Sequence, residues 1–122
     1  MTLFVNKEFA GHAGGTLKFK IECDALTNED VETIASIVAR THRFRIVYGV
    51  PRGGLRLARA LEKHLSPDGD ILIVDDVLTS GKSMEEAREQ CGGDAIGIVI
   101  FARGQCPSWV KPIFQLAPWA GP

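Results

Sequence analysis

Residues 71–83 read Ile71-Leu72-Ile73-Val74-Asp75-Asp76-Val77-Leu78-Thr79-Ser80-Gly81-Lys82-Ser83. The four apolar residues at the start predict a short strand buried on both faces, and such strands are typical of parallel sheets. Two adjacent acids follow at the carboxyl end of this strand, and we expect them to open a loop over residues 75–81. A helix is predicted over residues 83–91, because Gly92 and Gly93 stop the helical pattern.

The rest of the chain continues this alternation of strand and helix. Further core strands are predicted at residues 45–50 and 95–101, with a candidate at 113–116, and further helices at 28–41 and 55–65. Before them, alternating apolar and charged residues predict a half-buried strand over 17–21, and residues 3–9 are expected to be irregular or extended.

The alternation predicts an α/β fold with three layers, in which helices cover both faces of a parallel sheet. The crossovers are expected to be right-handed. In such sheets ligands bind beyond the carboxyl ends of the strands. We therefore expect the loops at 50–54, 75–82 and 102–106 to meet on one rim.

The composition excludes several classes of function. The chain has 122 residues, which is the size of one domain. Its net charge is -1 and its Lys and Arg residues are scattered along the sequence, so no concentrated basic face for a nucleic acid is expected. The longest apolar runs are far shorter than the roughly 20 residues that span a membrane. The three cysteines have neither disulfide nor zinc spacing, and residues 1–10 have no signal-peptide core, so a cytoplasmic location is expected.

The segment after the central strand carries the chemistry. Asp75 and Asp76 repel each other, and ribose hydroxyls or a hydrated cation would give them a reason to be adjacent. Residues 79–83 combine hydroxyl side chains, a glycine and the amide groups of a helix start, which together form a cradle for an anion. Acids for a sugar followed by a cradle for a phosphate indicate a site for a phosphorylated sugar.

Two other interpretations of this segment stay open. Residues 81–83 match the end of a nucleotide-binding P-loop, but the first glycine of that motif would fall at Asp76, where an acid would face the phosphates. The simplest alternative is a strand, an acidic turn and a serine-capped helix without a ligand.

This segment resembles the thirteen-residue motif of type I phosphoribosyltransferases, which bind 5-phosphoribosyl-1-pyrophosphate (PRPP). The resemblance implies that Asp75 and Asp76 hold the ribose hydroxyls and, through these or through water, Mg²⁺. It also implies that the remaining residues of the motif surround the 5-phosphate; these are Val77, Leu78, Thr79, Ser80, Gly81, Lys82 and Ser83.

A second loop is similar to the pyrophosphate loop of that family. It follows the strand at 45–50 and consists of Pro51, Arg52, Gly53 and Gly54. The glycines permit close approach of the backbone, and the guanidinium group can bind phosphate oxygens with two donors. The resemblance implies that the backbone amides of residues 51–54 bind pyrophosphate, with a cis peptide bond between Pro51 and Arg52. The alternative is a tight turn with an exposed arginine.

The acceptor site is expected between the N-terminal segment and the end of the last long strand. Residues 9–25 resemble the small hood of orotate phosphoribosyltransferases, although Thr16 stands where that subgroup has a basic residue. Lys18 is the base-binding candidate on this side, and Arg103 is the candidate on the other side, where it could bind a carboxylated acceptor. Both could instead be solvated surface residues.

The sequence departs from the family at one place. Only residues 55–74 separate the pyrophosphate loop from Asp75, and most members insert a strand and a long mobile loop there. The predicted protein is a single domain over 1–122, with a hood at 1–26 and a core at 27–122. Its predicted reaction transfers 5-phosphoribosyl to a heteroaromatic base such as orotate, in a homodimer that does not bind nucleic acid or membranes. A non-catalytic module that binds PRPP or a nucleotide and a phosphorolytic enzyme are the alternatives.

Overall fold

The N-terminal segment forms a two-stranded hairpin. The protein is represented by a computed structural model that describes residues 1–7 and 18–116. Strand β1 (Phe4–Lys7) pairs antiparallel with β2 (Lys18–Ile21), and a short 3-10 turn (Cys23–Ala25) follows. Residues 4–7 are therefore extended, which was one of the two conformations expected for residues 3–9. The Gly-rich turn and Thr16 lie outside the described residues.

The core is an α/β unit. Its elements are α1 (Asn28–Thr41), β3 (Phe44–Gly49), α2 (Leu55–Leu61), β4 (Asp70–Leu78), α3 (Lys82–Gln90), β5 (Ile96–Ala102) and β6 (Val110–Gln115). Within residues 18–116, β3 to β6 form a sheet of four strands in that order, and every neighbouring pair is parallel. The predicted parallel α/β architecture is confirmed.

Two apolar clusters cover opposite faces of this sheet and make the three predicted layers. Helices α1 and α2 pack on one face, where the fully buried side chains include Val38, Leu61 and Leu72. Helix α3 packs on the other face, where Met84 contacts a cluster that includes Ile73 and Val99. Neighbouring residues of β4 thus alternate between the two clusters, as the pleat of a strand requires.

The central strand is longer than predicted. Residues 75–78 were expected to be part of a loop, but they continue β4, where Val77 lies opposite Phe101 and Leu78 lies opposite Ala102 of β5. The two acids therefore belong to the strand itself. The reason is that β5 extends beyond Asp75 and offers its backbone groups to the residues that follow, which a single strand's sequence does not reveal.

The other boundaries differ by smaller amounts. Helix α1 begins as predicted, since the Thr27 hydroxyl accepts from the Asp30 N–H at 3.0 Å and the Asp30 carboxylate accepts from the Thr27 N–H at 2.8 Å. Helix α2 is shorter than the predicted 55–65, and a 3-10 turn (Glu62–His64) continues it. The candidate strand at 113–116 begins earlier, at Val110, because Pro112 is tolerated in an edge strand.

The predicted absence of an inserted strand is confirmed in a stretch that the structure describes throughout. Between the start of α2 and the start of β4 there are only helical turns and a turn at residues 65–69. Strand β3 is consequently an edge strand of the four-stranded sheet within residues 18–116. In the same described part of the chain, no helix has the length and apolar character that crossing a membrane requires.

Candidate functional site

The three predicted loops meet at the carboxyl ends of the strands. The N–H of Val50 donates to the carbonyl of Val74 at 2.9 Å, which holds the start of the 51–54 loop against β4. On the other side of β4, the N–H of Arg103 donates to the carbonyl of Leu78 at 2.8 Å. The expectation that these loops meet on one rim of the sheet, which came from the alternation of strand and helix, is confirmed.

The two acids at the end of β4 face different cavities. Asp76 lines a cavity of about 490 Å³ on the side of α1 and α2. Asp75 lines a small cavity of about 40 Å³ on the side of α3. The N–H of Asp76 donates to Asp75 Oδ1 at 2.8 Å, and the N–H of Val77 donates to Asp76 Oδ1 at 2.7 Å. Each carboxylate is therefore oriented by the next backbone amide, while its other oxygen is available to a ligand.

Burial changes the acidity of Asp75. Its pKa is raised from 3.8 to about 7, mainly because the half-buried carboxylate is poorly hydrated. The hydrogen bond from the Asp76 N–H opposes this rise, and the side chain of Asp76 adds to it. Near neutral pH the Asp75 carboxyl group is therefore partly protonated.

The predicted phosphate cradle surrounds the small cavity. Its lining comprises Asp75 and residues 77–84. Gly81 precedes α3 with a φ of 84°, a left-handed conformation that favours glycine. The Lys82 N–H donates to the Ser80 hydroxyl at 3.3 Å. Leu78 is buried in the core cluster under α3, so it positions the cradle and the polar residues after it remain exposed.

The 51–54 loop lies directly beside Asp76. The peptide bond between Pro51 and Arg52 is cis, as predicted. A Cβ atom at Gly53 would overlap the Asp76 carboxylate, so the absence of a side chain there allows the loop to reach the acid. Pro51 has no N–H and the Gly54 N–H donates to Val50 at 2.8 Å. Residues 51–54 were expected to bind pyrophosphate through their backbone amides. The N–H groups of Arg52 and Gly53 are the two that remain to bind a ligand.

The larger cavity adds residues that the sequence did not single out. One wall of it is formed by the segment after β2, with Cys23 and Asp24, and Arg56 of α2 also lines it. Burial raises the pKa of Cys23 to about 12, and the charges of Asp76, Asp24 and Asp75 add to the effect. The thiol is therefore neutral at physiological pH. The only signal for these residues in the sequence was their position after β2 and after the glycine loop, which is too general to identify a site.

Arg56 joins this wall to helix α2. Its guanidinium group donates to the carbonyl of Cys23 at 3.3 Å, to the carbonyl of Leu26 at 2.9 Å and to Asn28 Oδ1 at 3.3 Å. Two carbonyls of the segment before α1 and the side chain of the first residue of α1 thus bind one side chain from the helix that follows the 51–54 loop.

The two base-binding candidates lie on the N-terminal hairpin side. Arg103 Nη1 donates to the carbonyl of Phe19 at 2.8 Å, and the guanidinium carbon lies 4.2 Å from the centre of the Phe19 ring. Arg103 thereby holds β2 against the end of β5. Lys18 is in β2, but its side chain lies outside what the structure describes.

The described residues contain no group of three or more His, Cys, Asp or Glu side chains that could hold a metal ion by themselves. Asp75 and Asp76 are compatible with a different arrangement, since Mg²⁺ commonly keeps several waters and binds one or two carboxylates together with the phosphates of a substrate. A cation that arrives with a diphosphate therefore fits this donor set.

Comparison with known proteins adds no relative: the sequence matches no model of a known protein family, and no curated protein is detectably similar to it. The function must therefore be inferred from the site itself.

Proposed function

We propose that this protein binds PRPP at the carboxyl edge of its sheet and transfers the 5-phosphoribosyl group to a nitrogenous base, releasing pyrophosphate. In this proposal the fold is a minimal type I phosphoribosyltransferase core with the N-terminal hairpin as its hood. The observation that carries the proposal is the acid pair at the end of β4, where Asp76 lies beside Gly53 of the 51–54 loop and Asp75 lines the cavity of the phosphate cradle at the start of α3.

Each part of PRPP has a group of matching chemistry on this edge. Asp76 and Asp75 would accept hydrogen bonds from the ribose hydroxyls. The residues of the cradle, 79–83, would bind the 5-phosphate through hydroxyl groups and the amides at the start of α3. The two amides of the 51–54 loop and the guanidinium group of Arg52 would bind the pyrophosphate.

The reaction then follows from where charge develops. The bond from C1 of the ribose to the pyrophosphate oxygen breaks with its electron pair on the pyrophosphate, and a ring nitrogen of the base forms the new bond to C1. Positive charge on the sugar is stabilised by the neighbouring carboxylates, and the chain contributes mainly position and electrostatics. Mg²⁺ bound with PRPP supplies neutralisation of the charge on the leaving group.

A non-catalytic PRPP or nucleotide-binding module is the second candidate. It is favoured by the short connection between α2 and β4, which leaves no segment there that could close over the site. Lids exclude water and strengthen electrostatic interactions at a reacting centre. In a homodimer, which we also propose, the missing groups could come from a second copy, and light scattering would measure that state.

The experiment is release of pyrophosphate from PRPP with Mg²⁺ in the presence of orotate, uracil, guanine, hypoxanthine, adenine or nicotinate, together with PRPP binding by calorimetry. Asp76→Asn is expected to weaken binding about tenfold or more, since a hydrogen bond to a charged group contributes about 1.5–3 kcal/mol. Asp75→Asn is expected to weaken binding or turnover several-fold.

The matched control is Asp70→Asn, which changes an exposed acid at the opposite end of the same strand. This variant should bind PRPP as the parent protein does. Binding without release for every base would favour the module, and no binding of PRPP at all would refute the enzyme and a PRPP-binding module.

A further inference from the structure

The larger cavity overlaps the proposed PRPP site, because Asp76, Arg52 and Gly53 belong to both, and it extends beyond them to Asp24 and Val31. Asp76 and the 51–54 loop form one wall, so a ligand in the cavity would lie beside the ribose. The volume of about 490 Å³ falls in the range of small-molecule sites. Apolar side chains form its base, and these are Leu26, Val31, Leu57 and Ile100. Such a base suits the flat face of a heterocycle.

The wall that Cys23 and Asp24 form offers hydrogen-bond acceptors. Asp24 is exposed, and within residues 1–7 and 18–116 its carboxylate has neither a hydrogen bond nor an ion pair. The neighbouring Cys23 thiol is neutral. A ligand that reaches this wall would therefore be recognised through its own N–H or amino donors.

The described cations of the cavity lining, Arg52 and Arg56, have other partners. Arg52 binds the pyrophosphate in the proposed function, and Arg56 donates to the carbonyls of Cys23 and Leu26 and to the side chain of Asn28. Arg103 stacks on Phe19 and does not line the cavity. A carboxylate on the acceptor would thus approach Asp24 and Asp76, two like charges, and such juxtapositions are unfavourable.

We propose that this cavity receives the acceptor and that Asp24 selects an uncharged nitrogen heterocycle with N–H or amino donors, such as an aminopurine, over a base that carries a carboxylate. The inference depends on the proposed function, because it places the acceptor beside a bound ribose. It differs from the orotate-like acceptor expected from the sequence, and the two lead to opposite preferences.

The test is binding of adenine, guanine, orotate and nicotinate to the protein loaded with ribose 5-phosphate and magnesium pyrophosphate, which occupies Arg52, followed by ligand-observed NMR. Adenine or guanine is expected to bind at least tenfold more tightly than either carboxylated base. Asp24→Asn should weaken binding of the amino-bearing base about tenfold and leave the affinity for ribose 5-phosphate unchanged. Asp24→Arg should shift the preference toward orotate.

Glu29→Gln is the matched control, since Glu29 is an exposed acid in the first turn of α1 that does not line the cavity. It should leave every affinity unchanged. Preference for orotate or nicotinate, no binding of any base, or an Asp24→Asn variant with unaltered affinity would each overturn the inference. These outcomes differ from failure of the proposed function, in which ribose 5-phosphate and PRPP themselves do not bind.

Discussion

Gly53 and Asp76, which are separated along the chain by α2 and most of β4, pack so closely that a side chain on the glycine would overlap the carboxylate. The pair joins the 51–54 loop to the end of β4. Neither the loop nor the acid could hold its present position if the other moved, and the arrangement can be tested by mutation.

Gly53→Ala is expected to destabilise the protein by about 1–3 kcal/mol, because the added methyl group has to displace the loop or the acid. The loss should be at least halved when Asp76 is also replaced by alanine, since the overlapping atoms are then gone. Urea unfolding of the four proteins of this double-mutant cycle measures the coupling. An equal loss in both backgrounds would mean that the contact is not what limits Gly53.

Gly81 and Gly92 form a natural matched pair for the cradle. Both have a positive φ, 84° and 90°, and a Cβ atom at either would meet no heavy atom closer than 3.9 Å. Alanine at either position is expected to lower stability by about 1–2 kcal/mol, the cost of a left-handed conformation for a residue with a Cβ. Only Gly81→Ala should weaken binding of ribose 5-phosphate, by about tenfold. Comparable binding by the two variants would contradict a role of Gly81 in the cradle.

The raised pKa of Asp75 predicts a pH dependence of stability. Folding raises this pKa from 3.8 to about 7, so between these values the folded chain holds a proton that the unfolded chain has released. The Asp75 contribution is therefore fully present below about pH 4 and is lost as the pH rises to about 7. Asp75→Asn should match the parent protein at pH 4 and be the more stable of the two at pH 8.

Thermal unfolding of the two proteins across that range measures the difference, from which the contributions of the titrating groups that do not interact with Asp75 cancel. Asp70→Asn, on the same strand and exposed, should parallel the parent protein throughout. A parent protein that gains stability relative to Asp75→Asn as the pH rises would show that the Asp75 pKa is lowered in the folded state.

Replacing Arg103 should loosen the N-terminal hairpin. Arg103→Ala removes the hydrogen bond to the Phe19 carbonyl and the stacking on its ring, and about 1–2 kcal/mol of stability is expected to be lost. Amide hydrogen exchange in β2 should accelerate at least tenfold while exchange in β4 stays slow. Arg40→Ala, an exposed arginine at the end of α1, should leave both unchanged. Slow exchange in β2 of Arg103→Ala would exclude the proposed attachment.

The order and type of the core elements were predictable because apolar runs such as 71–74 are buried on both faces and glycines punctuate them. The alternation of strand and helix then predicted a parallel sheet, whose loops at the carboxyl ends of the strands would share one rim. The end of β4 was not predictable, because Val77 and Leu78 are held in the strand by pairing with β5, a contact between residues distant in sequence.

The same limit applies to the site. The acid pair and the cradle are contiguous in sequence, so their chemistry could be inferred from their spacing. The spacing did not predict that the pleat of β4 would place the two adjacent acids in the linings of two different cavities. Asp24 and Cys23 joined the site only through folding, since nothing in their sequence neighbourhood distinguishes them from surface residues.

The three hydrogen bonds of Arg56 connect α2 to residues that are distant in sequence. The residue lies in the first turn of the helix that follows the 51–54 loop, and it binds the carbonyls of Cys23 and Leu26 in the segment before α1. A displacement of this helix start would therefore also pull on that segment, so two parts of the cavity lining that are distant in sequence would respond to one movement.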